Sequence, residues 1–221
     1  SNFQAESVRD KFSPFWSFGA SWLISNEQFM EQATWVDQLK LRVSYGLAGI
    51  AAGKSGTSSV TTVEVHPGSL IYSGGESFNK IAERGNNTLT WEKSRTLNIG
   101  ADVAFFGHKL SGSVEFYNKF SYDVLANTTV PVISQGVESM KLNNAEIVNR
   151  GVEFSISSNL PVVGDLSWNG TLNYSYNHNE LKKFGYTGPY MAVGNSYVEG
   201  RPIGSYSVLK PAGYSPEGYV M

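Results

Sequence analysis

The stretch from Arg95 to Asp123, RTLNIGADVAFFGHKLSGSVEFYNKFSYD, decides how this chain reads, because two strand-length runs of alternating apolar and polar residues meet at a short glycine-containing turn. In the first run Leu97, Ile99, Ala101, Val103 and Phe105 share one face, and Thr96, Asn98, Gly100, Asp102 and Ala104 share the other. That is the two-residue period of a β-strand. After Gly107-His108-Lys109 the alternation resumes, with Leu110, Gly112, Val114 and Phe116 on one side and Ser111, Ser113, Glu115 and Tyr117 on the other. A soluble hairpin alternates in the same way, so one pair does not fix the class. Repetition does.

Working outward, a second copy joins PFWSFGASWLI (Pro14 to Ile24) to LKLRVSYGLAG (Leu39 to Gly49), and a third joins VNRGVEFSISSNL (Val148 to Leu160) to LSWNGTLNYSYN (Leu166 to Asn177). Trp16, Phe18, Ala20 and Trp22 line one face of the first strand; Trp168, Leu172, Tyr174 and Tyr176 line one face of the last. Hairpins are thus predicted over about 14–49, 91–123 and 148–178. Each strand has about ten residues or more. At roughly 3.3 Å per residue and a tilt near 45°, that length crosses the approximately 25 Å apolar band of an outer-membrane barrel.

The connections differ on the two sides of the predicted sheet. Short turns near Gly107 and at PVVGD (Pro161 to Asp165) close two hairpins, and SNEQFMEQATWVDQ in the first has room for one helical turn. Opposite them run long links, roughly Ile50 to Leu89, Phe120 to Glu146 and everything after Asn179. Short periplasmic turns and long extracellular loops are the asymmetry of outer-membrane barrels. With that orientation Trp22, Phe105 and Trp168 fall near the periplasmic rim and Trp16, Tyr45 and Tyr176 near the outer one, as an aromatic belt requires. Within the long first link, TTVEVHP and SLIYSGG read as a small extra hairpin above the membrane.

Composition narrows the class further. The 221 residues carry a net charge of -2, 16% charged and 13% aromatic side chains, and no cysteine. The low charged fraction and the aromatic content point away from disorder. No cluster of Lys and Arg interleaved with aromatics is present, so no nucleic-acid partner is expected. Disulfides and thiolate chemistry are excluded outright. No apolar run of 18 residues exists, which excludes a membrane helix but not a barrel, since half of each barrel strand faces water. The N-terminal SNFQAESVRDKF lacks the hydrophobic core of a signal peptide and GYSPEGYVM ends without a strand. Six strands would leave two open edges in lipid. The chain therefore reads as an internal fragment of one larger barrel domain spanning residues 1–221.

Several phrases stand in a fixed order: PFWSFGASWLISNEQFM, WVDQLKLRVSYGLAG, NNTLTWEKSRTLNIGADVAFFGHKLSGSVEFYNK, NNAEIVNRGVEFSISSN, SWNGTLNYSYNHNELKKF and GRPIGSYSVLKPAGYSPEG. Together they resemble the barrel of the SusC/RagA family of TonB-linked outer-membrane transporters, over nearly the whole chain. The resemblance implies an all-β, antiparallel, up-and-down wall belonging to a barrel of about 22 strands with a plugged lumen. It also implies uptake of bulky nutrients, oligosaccharides or peptides, across the outer membrane of Bacteroidetes-type bacteria. A SusD-like surface lipoprotein would cap the barrel, and TonB would act on parts that precede this region. No cofactor and no enzymatic activity are expected.

The polar faces gather Lys40, Arg42, Asp102, Glu115, Lys119 and Glu153, which are expected to line the lumen. Asp102 and Glu115 flank one hairpin, and paired carboxylates serve glycoside hydrolysis; contact with water, one another and the plug is the reading preferred here. The lipid-facing aromatics are Trp16, Phe18, Trp22, Tyr45, Phe105, Phe116, Trp168, Tyr174 and Tyr176. Arg150 breaks the pattern on that face, and is expected at headgroup level, where a charge costs about 0–1 kcal/mol instead of the 2–4 of the midplane. Aromatics stack on sugar rings, so Tyr72, Phe78, Tyr186, Tyr190 and Tyr197 in the outer loops are the candidates for substrate or lid contact.

Other motifs carry less. GIAAGKS, Gly49 to Ser55, has three residues between its glycines where a P-loop has four, and opens no helix. His66, His108 and His178 are too scattered for a metal site. Asn86, Asn127, Asn169 and Asn173 begin N-x-S/T sequences without an expected glycan. Two alternatives stay open from sequence: a passive pore or adhesin barrel of another family, and a soluble carbohydrate-binding β-sandwich that would bury the Trp16, Phe18 and Trp22 face under a second sheet.

Overall fold

In the computed structural model, six long strands form one antiparallel sheet in the order β1-β2-β5-β6-β7-β8. The model describes residues 13–50, 61–66, 78–86, 88–130, 139–163, 166–185, 194–195, 197–208, 213 and 216. The six strands are β1 (Trp16–Leu23), β2 (Val36–Ile50), β5 (Glu92–Phe105), β6 (Leu110–Thr129), β7 (Ser139–Val163) and β8 (Leu166–Lys183). β3 (Thr62–His66) and β4 (Phe78–Glu83) form a separate hairpin, and β9 (Gly194–Asn195) pairs with β10 (Tyr206–Ser207). Strands adjacent along the main sheet follow one another in the chain, apart from the β3–β4 excursion, which is an up-and-down order.

The register keeps the alternation in phase across all six strands. One row runs Ala20, Val43, Ile99, Phe116, Val152, Tyr176; the next runs Trp22, Leu41, Ala101, Val114, Phe154, Tyr174. All nine aromatics predicted for the apolar face fall on it. Among the described residues nothing covers that face, for Phe18 is 68% and Leu172 62% exposed. A β-sandwich would bury it, so that alternative falls.

The apolar stretch also slides along the strands. On β1 it ends at Trp16, which stands in register with Arg95 on β5, whereas on β8 it ends at Tyr176, in register with Ile99. Its other end moves further, from Trp22 on β1 to Leu166 on β8. The mean displacement is roughly six residues, or about 20 Å, over five interstrand spacings totalling about 24 Å. Kept level in a bilayer, this face gives the strands a tilt of about 40°, within the range of barrel walls.

The turns differ from the sequence reading in detail. The β1–β2 link holds two single-turn 3-10 helices, Ile24–Asn26 and Gln28–Met30. The β5–β6 turn spans Phe106 to Lys109, and Phe106, Gly107 and His108 have φ of 58°, 68° and 60°. Left-handed backbone strains the two residues that are not glycine. They are held there by Phe106 N–H donating to Trp35 O at 3.0 Å and His108 N–H donating to Asp37 Oδ2 at 2.8 Å. The Trp35 ring stacks on Phe105 with centroids 5.4 Å apart. At the next turn β7 continues through Pro161 to Val163, past a register shift between those two residues where a proline is tolerated.

On the opposite side the strands continue well past the predicted loop boundaries. β6 runs to Thr129 and β7 begins at Ser139, so most of the predicted Phe120 to Glu146 loop is strand. Register shifts around Val124, with Asp123 at φ 54°, bend the pair without ending its ladder. Here lie the buried Leu89, Ala145 and Leu181. β3 pairs with FNKIAE, setting Val63 opposite Ile81; the SLIYSGG half of the predicted small hairpin lies outside the described residues.

Candidate functional site on the polar face

Every charge predicted for the polar side of the sheet lies on one face. The central row runs Ser21, Arg42, Gly100, Glu115, Glu153, Ser175, and the row beside it contains Lys40, Asp102, Ser113, Ser155 and Asn173. Lys119 stands two rows away, between Thr96 and Asn149. Arg42 organises the cluster. Its Nη2 donates to Asp102 Oδ1 at 3.0 Å, and its Nε lies 2.9 Å from Oδ2 as an ion contact without the alignment of a hydrogen bond. The same guanidinium reaches Glu115 Oε2 at 3.5 Å.

That reach spans a whole strand, and Gly100 permits it. A Cβ on Gly100 would stand 3.1 Å from Arg42 Nη2. A second span of this kind lies nearby, where Tyr117 crosses Gly151 and donates its hydroxyl to Asn177 Oδ1 at 3.1 Å. Sequence reading missed both glycines, although each interrupts a β-strand pattern, where an isolated glycine signals close approach.

Glu115 and Glu153 are direct cross-strand neighbours, and Glu153 has no cation within ion-pair distance among the described residues. Two carboxylates, Asp102 and Glu115, therefore share one guanidinium, with Glu153 beside them. Beside them a shallow groove of about 390 Å³ is lined by Ser113, Glu115, Glu153, Ser155, Asn173 and Ser175. Ser155 Oγ donates to Asn173 Oδ1 at 2.8 Å, and Ser157 and Thr171 hydroxyls meet at 3.1 Å. Such a wall offers water, hydroxyls and amide groups a dense set of partners. The Asp102 and Glu115 carboxylates are both engaged with Arg42.

The outer end is knit by asparagines. Asn143 Nδ2 donates to Thr90 O at 2.9 Å and to Asp123 O at 2.7 Å, and its Oδ1 accepts from Thr90 N–H at 2.8 Å. Asn86 donates to Lys141 O at 2.9 Å and accepts from Thr88 N–H at 2.9 Å, so it has a structural role. Of the predicted contact aromatics, Tyr72, Tyr186 and Tyr190 lie outside the described residues. Phe78 begins β4, and Tyr197 is exposed with its ring 5.2 Å from Phe184. Most of GIAAGKS also lies outside the described residues. His66, His108 and His178 occupy separate elements.

At the outer end of the apolar face, Arg150 stands between Asn118 and His178. Arg95 packs over the Tyr122 ring, 4.8 Å from its centre, and Lys93 lies 5.8 Å from the same ring. A hydrogen bond from Lys182 holds the Glu180 carboxyl below its ordinary range, against the opposing effect of desolvation, with the Lys182, His178 and Arg150 charges adding to the lowering.

A single sheet of long tilted strands, apolar and uncovered on one face and polar on the other, is a stretch of transmembrane β-barrel wall. The chain belongs to the family described as TonB dependent receptor-like, beta-barrel, whose model matches residues 1–215. Among curated proteins it is 31% identical over 185 residues to TonB-dependent receptor P3 of Formosa agariphila, covering 83% of this chain. It is 27% identical over 176 residues to TonB-dependent receptor SusC of Bacteroides thetaiotaomicron, covering 79% of this chain. The chain spans 18% of the length of each of these relatives. Among solved structures, that of the RagAB peptide transporter matches 92% of this chain and 22% of its own, with a TM-score of 0.74 and 28% identity. The 'closed-closed' RagAB peptide importer matches 94% and 24%, with a TM-score of 0.71 and 25% identity.

Proposed function

We propose that this chain is barrel wall of a TonB-dependent outer-membrane transporter that imports bulky nutrients, peptides or oligosaccharides. Its apolar face meets lipid, and its polar face, with Lys40, Arg42, Asp102, Glu115, Lys119 and Glu153, lines the lumen. The observation that carries the reading is the uncovered apolar band that drifts steadily across the strands, backed by a polar face on which Arg42 reaches along the sheet to Asp102 and Glu115. Similarity to SusC and to RagAB supports a SusD-like lipoprotein as partner. Tyr72, Phe78, Tyr186, Tyr190 and Tyr197 belong to segments on the substrate and lid side.

The test uses the complete transporter in its outer membrane. Cells are offered fluorescent oligopeptides and oligosaccharides of matched size, with and without functional TonB. Accumulation of one class that disappears without TonB supports the reading. Entry of small solutes that ignores TonB would instead indicate a passive pore.

A further inference from the structure

The apolar face gives way to cations at its outer end. Moving outward along that face, Leu97 is followed by Arg95 on β5, Val152 by Arg150 on β7 and Tyr176 by His178 on β8. On β6, Phe116 is followed by Asn118, which stands in register with Arg150. A row perpendicular to tilted strands is not level in a membrane, so heights follow from the drift of the apolar band. With a tilt of about 40° and roughly 3.3 Å per residue, Arg95, Arg150 and His178 come out roughly 6–10 Å above the level of Trp16. They form one belt just beyond the hydrocarbon.

Their neighbours decide which charges are free. Lys93 is answered by Asp123 Oδ2 at 3.2 Å, and Lys182 by Glu180 Oε1 at 2.7 Å, with His178 3.9 Å from the other Glu180 oxygen. Arg95 and Arg150 have no carboxylate within ion-pair distance among the described residues. Arg95 is braced over Tyr122, and Arg150 has the Asn118 amide beside it. Arg95 and Arg150 stand two strands and two residues apart, their backbones separated by about 12 Å of sheet.

We propose that Arg95, Arg150 and Asn118 form a binding site for the phosphate groups of an anionic lipid in the outer leaflet. A guanidinium presents a planar fork that matches two phosphate oxygens and sheds its hydration more readily than an ammonium. Directly below, Phe116, Val152 and Tyr176 offer an apolar surface for the same lipid's acyl chains. That continuity between a cationic belt and an apolar wall selects a lipid over a free anion. The site rests on the apolar face being the lipid face, and concerns retention in the bilayer, not cargo.

The experiment titrates the purified full-length transporter in detergent with three probes, read by native mass spectrometry and by thermal unfolding. They are diphosphorylated lipid A, the same lipid with its phosphates removed, and inorganic phosphate. Lipid A is expected to bind about tenfold or more tightly than its dephosphorylated form, and Arg95→Gln with Arg150→Gln to abolish that preference. Lys40→Gln, on the polar face, is expected to leave it intact. Equal binding of both lipids, or a preference unchanged in the double variant, would overturn the proposal. So would inorganic phosphate competing at the affinity of lipid A. If the double variant does not fold, the two lipids compared on the unaltered protein still decide. Substrate uptake is a separate readout, so failure here leaves the transport reading intact.

Discussion

Arg42 on β2 and Glu115 on β6 lie 3.5 Å apart although β5 runs between them, because the residue beneath the guanidinium is Gly100. One side chain thereby ties three strands. Tyr117 does the same over Gly151. The two glycines look equivalent in sequence but their surroundings differ, and so should their tolerance.

A Cβ at Gly151 would press on Tyr176 O and lie 2.6 Å from the Tyr117 hydroxyl, whereas one at Gly100 is tight only against the movable end of Arg42, at 3.1 Å, with Val114 O at an ordinary 3.5 Å. Gly151→Ala is expected to destabilise the barrel by about 1–3 kcal/mol through overpacking against backbone. Gly100→Ala is expected to cost about 1 kcal/mol or less. Urea-dependent unfolding of the complete barrel in vesicles measures both; equal costs would refute the difference.

The two faces predict opposite responses at adjacent positions. Val114 lies mid-row on the apolar face and Ser113 beside the polar groove. Val114→Arg should cost about 2–4 kcal/mol, as a charge near the bilayer midplane does, and Ser113→Arg about 1 kcal/mol or less. Folding yield into preformed vesicles, scored by heat-modifiable gel mobility, compares the pair.

Asn143 acts as a surrogate strand residue, donating to and accepting from the Thr90 backbone while also holding Asp123 O. Asn143→Ala leaves these groups unmatched at a cost of about 1–3 kcal/mol. Because the loss is local, hydrogen exchange at the Thr90 amide should accelerate while Val43 and Ile99 in the sheet stay protected. Unchanged exchange at Thr90 would contradict the clamp.

The Arg42–Asp102 pair is 39% and 30% exposed, so its net worth is modest despite its geometry. A double-mutant cycle with Arg42→Met and Asp102→Asn should give a coupling of about 0.2–1 kcal/mol that shrinks as salt is raised. A coupling insensitive to salt would indicate a drier site than this face provides.

Alternation made the sheet, its face assignments and its pairing order legible in the sequence, because a period of two leaves each residue only one face once its neighbour's is known. Trp16, Ile99, Val114 and Phe116 all fall where that rule put them. What escaped depends on relations between strands. The Arg42 bridge requires knowing that Gly100 stands opposite, and register between β2 and β5 is not written in either strand alone. The tall β6–β7 extension escaped because Asp123 and the polar run around Asn143 look like loop, while pairing with the neighbouring strand keeps their backbone in the ladder. Trp35 escaped because its partner, the left-handed Phe106, sits in a turn taken to start one residue later.

That extension has a further consequence. β6 runs for 20 residues and β7 for 25, so at a tilt of about 40° the paired strands rise roughly 25 Å beyond what an apolar band of about 25 Å requires. Among the described residues, this rim is paired ladder packed over the buried Leu89. The conformational entropy of that surface has already been lost during folding, so contact with it carries a smaller ordering penalty. A preordered rim of this kind favours rapid, reversible engagement, in which affinity is set by the shape of the surface presented.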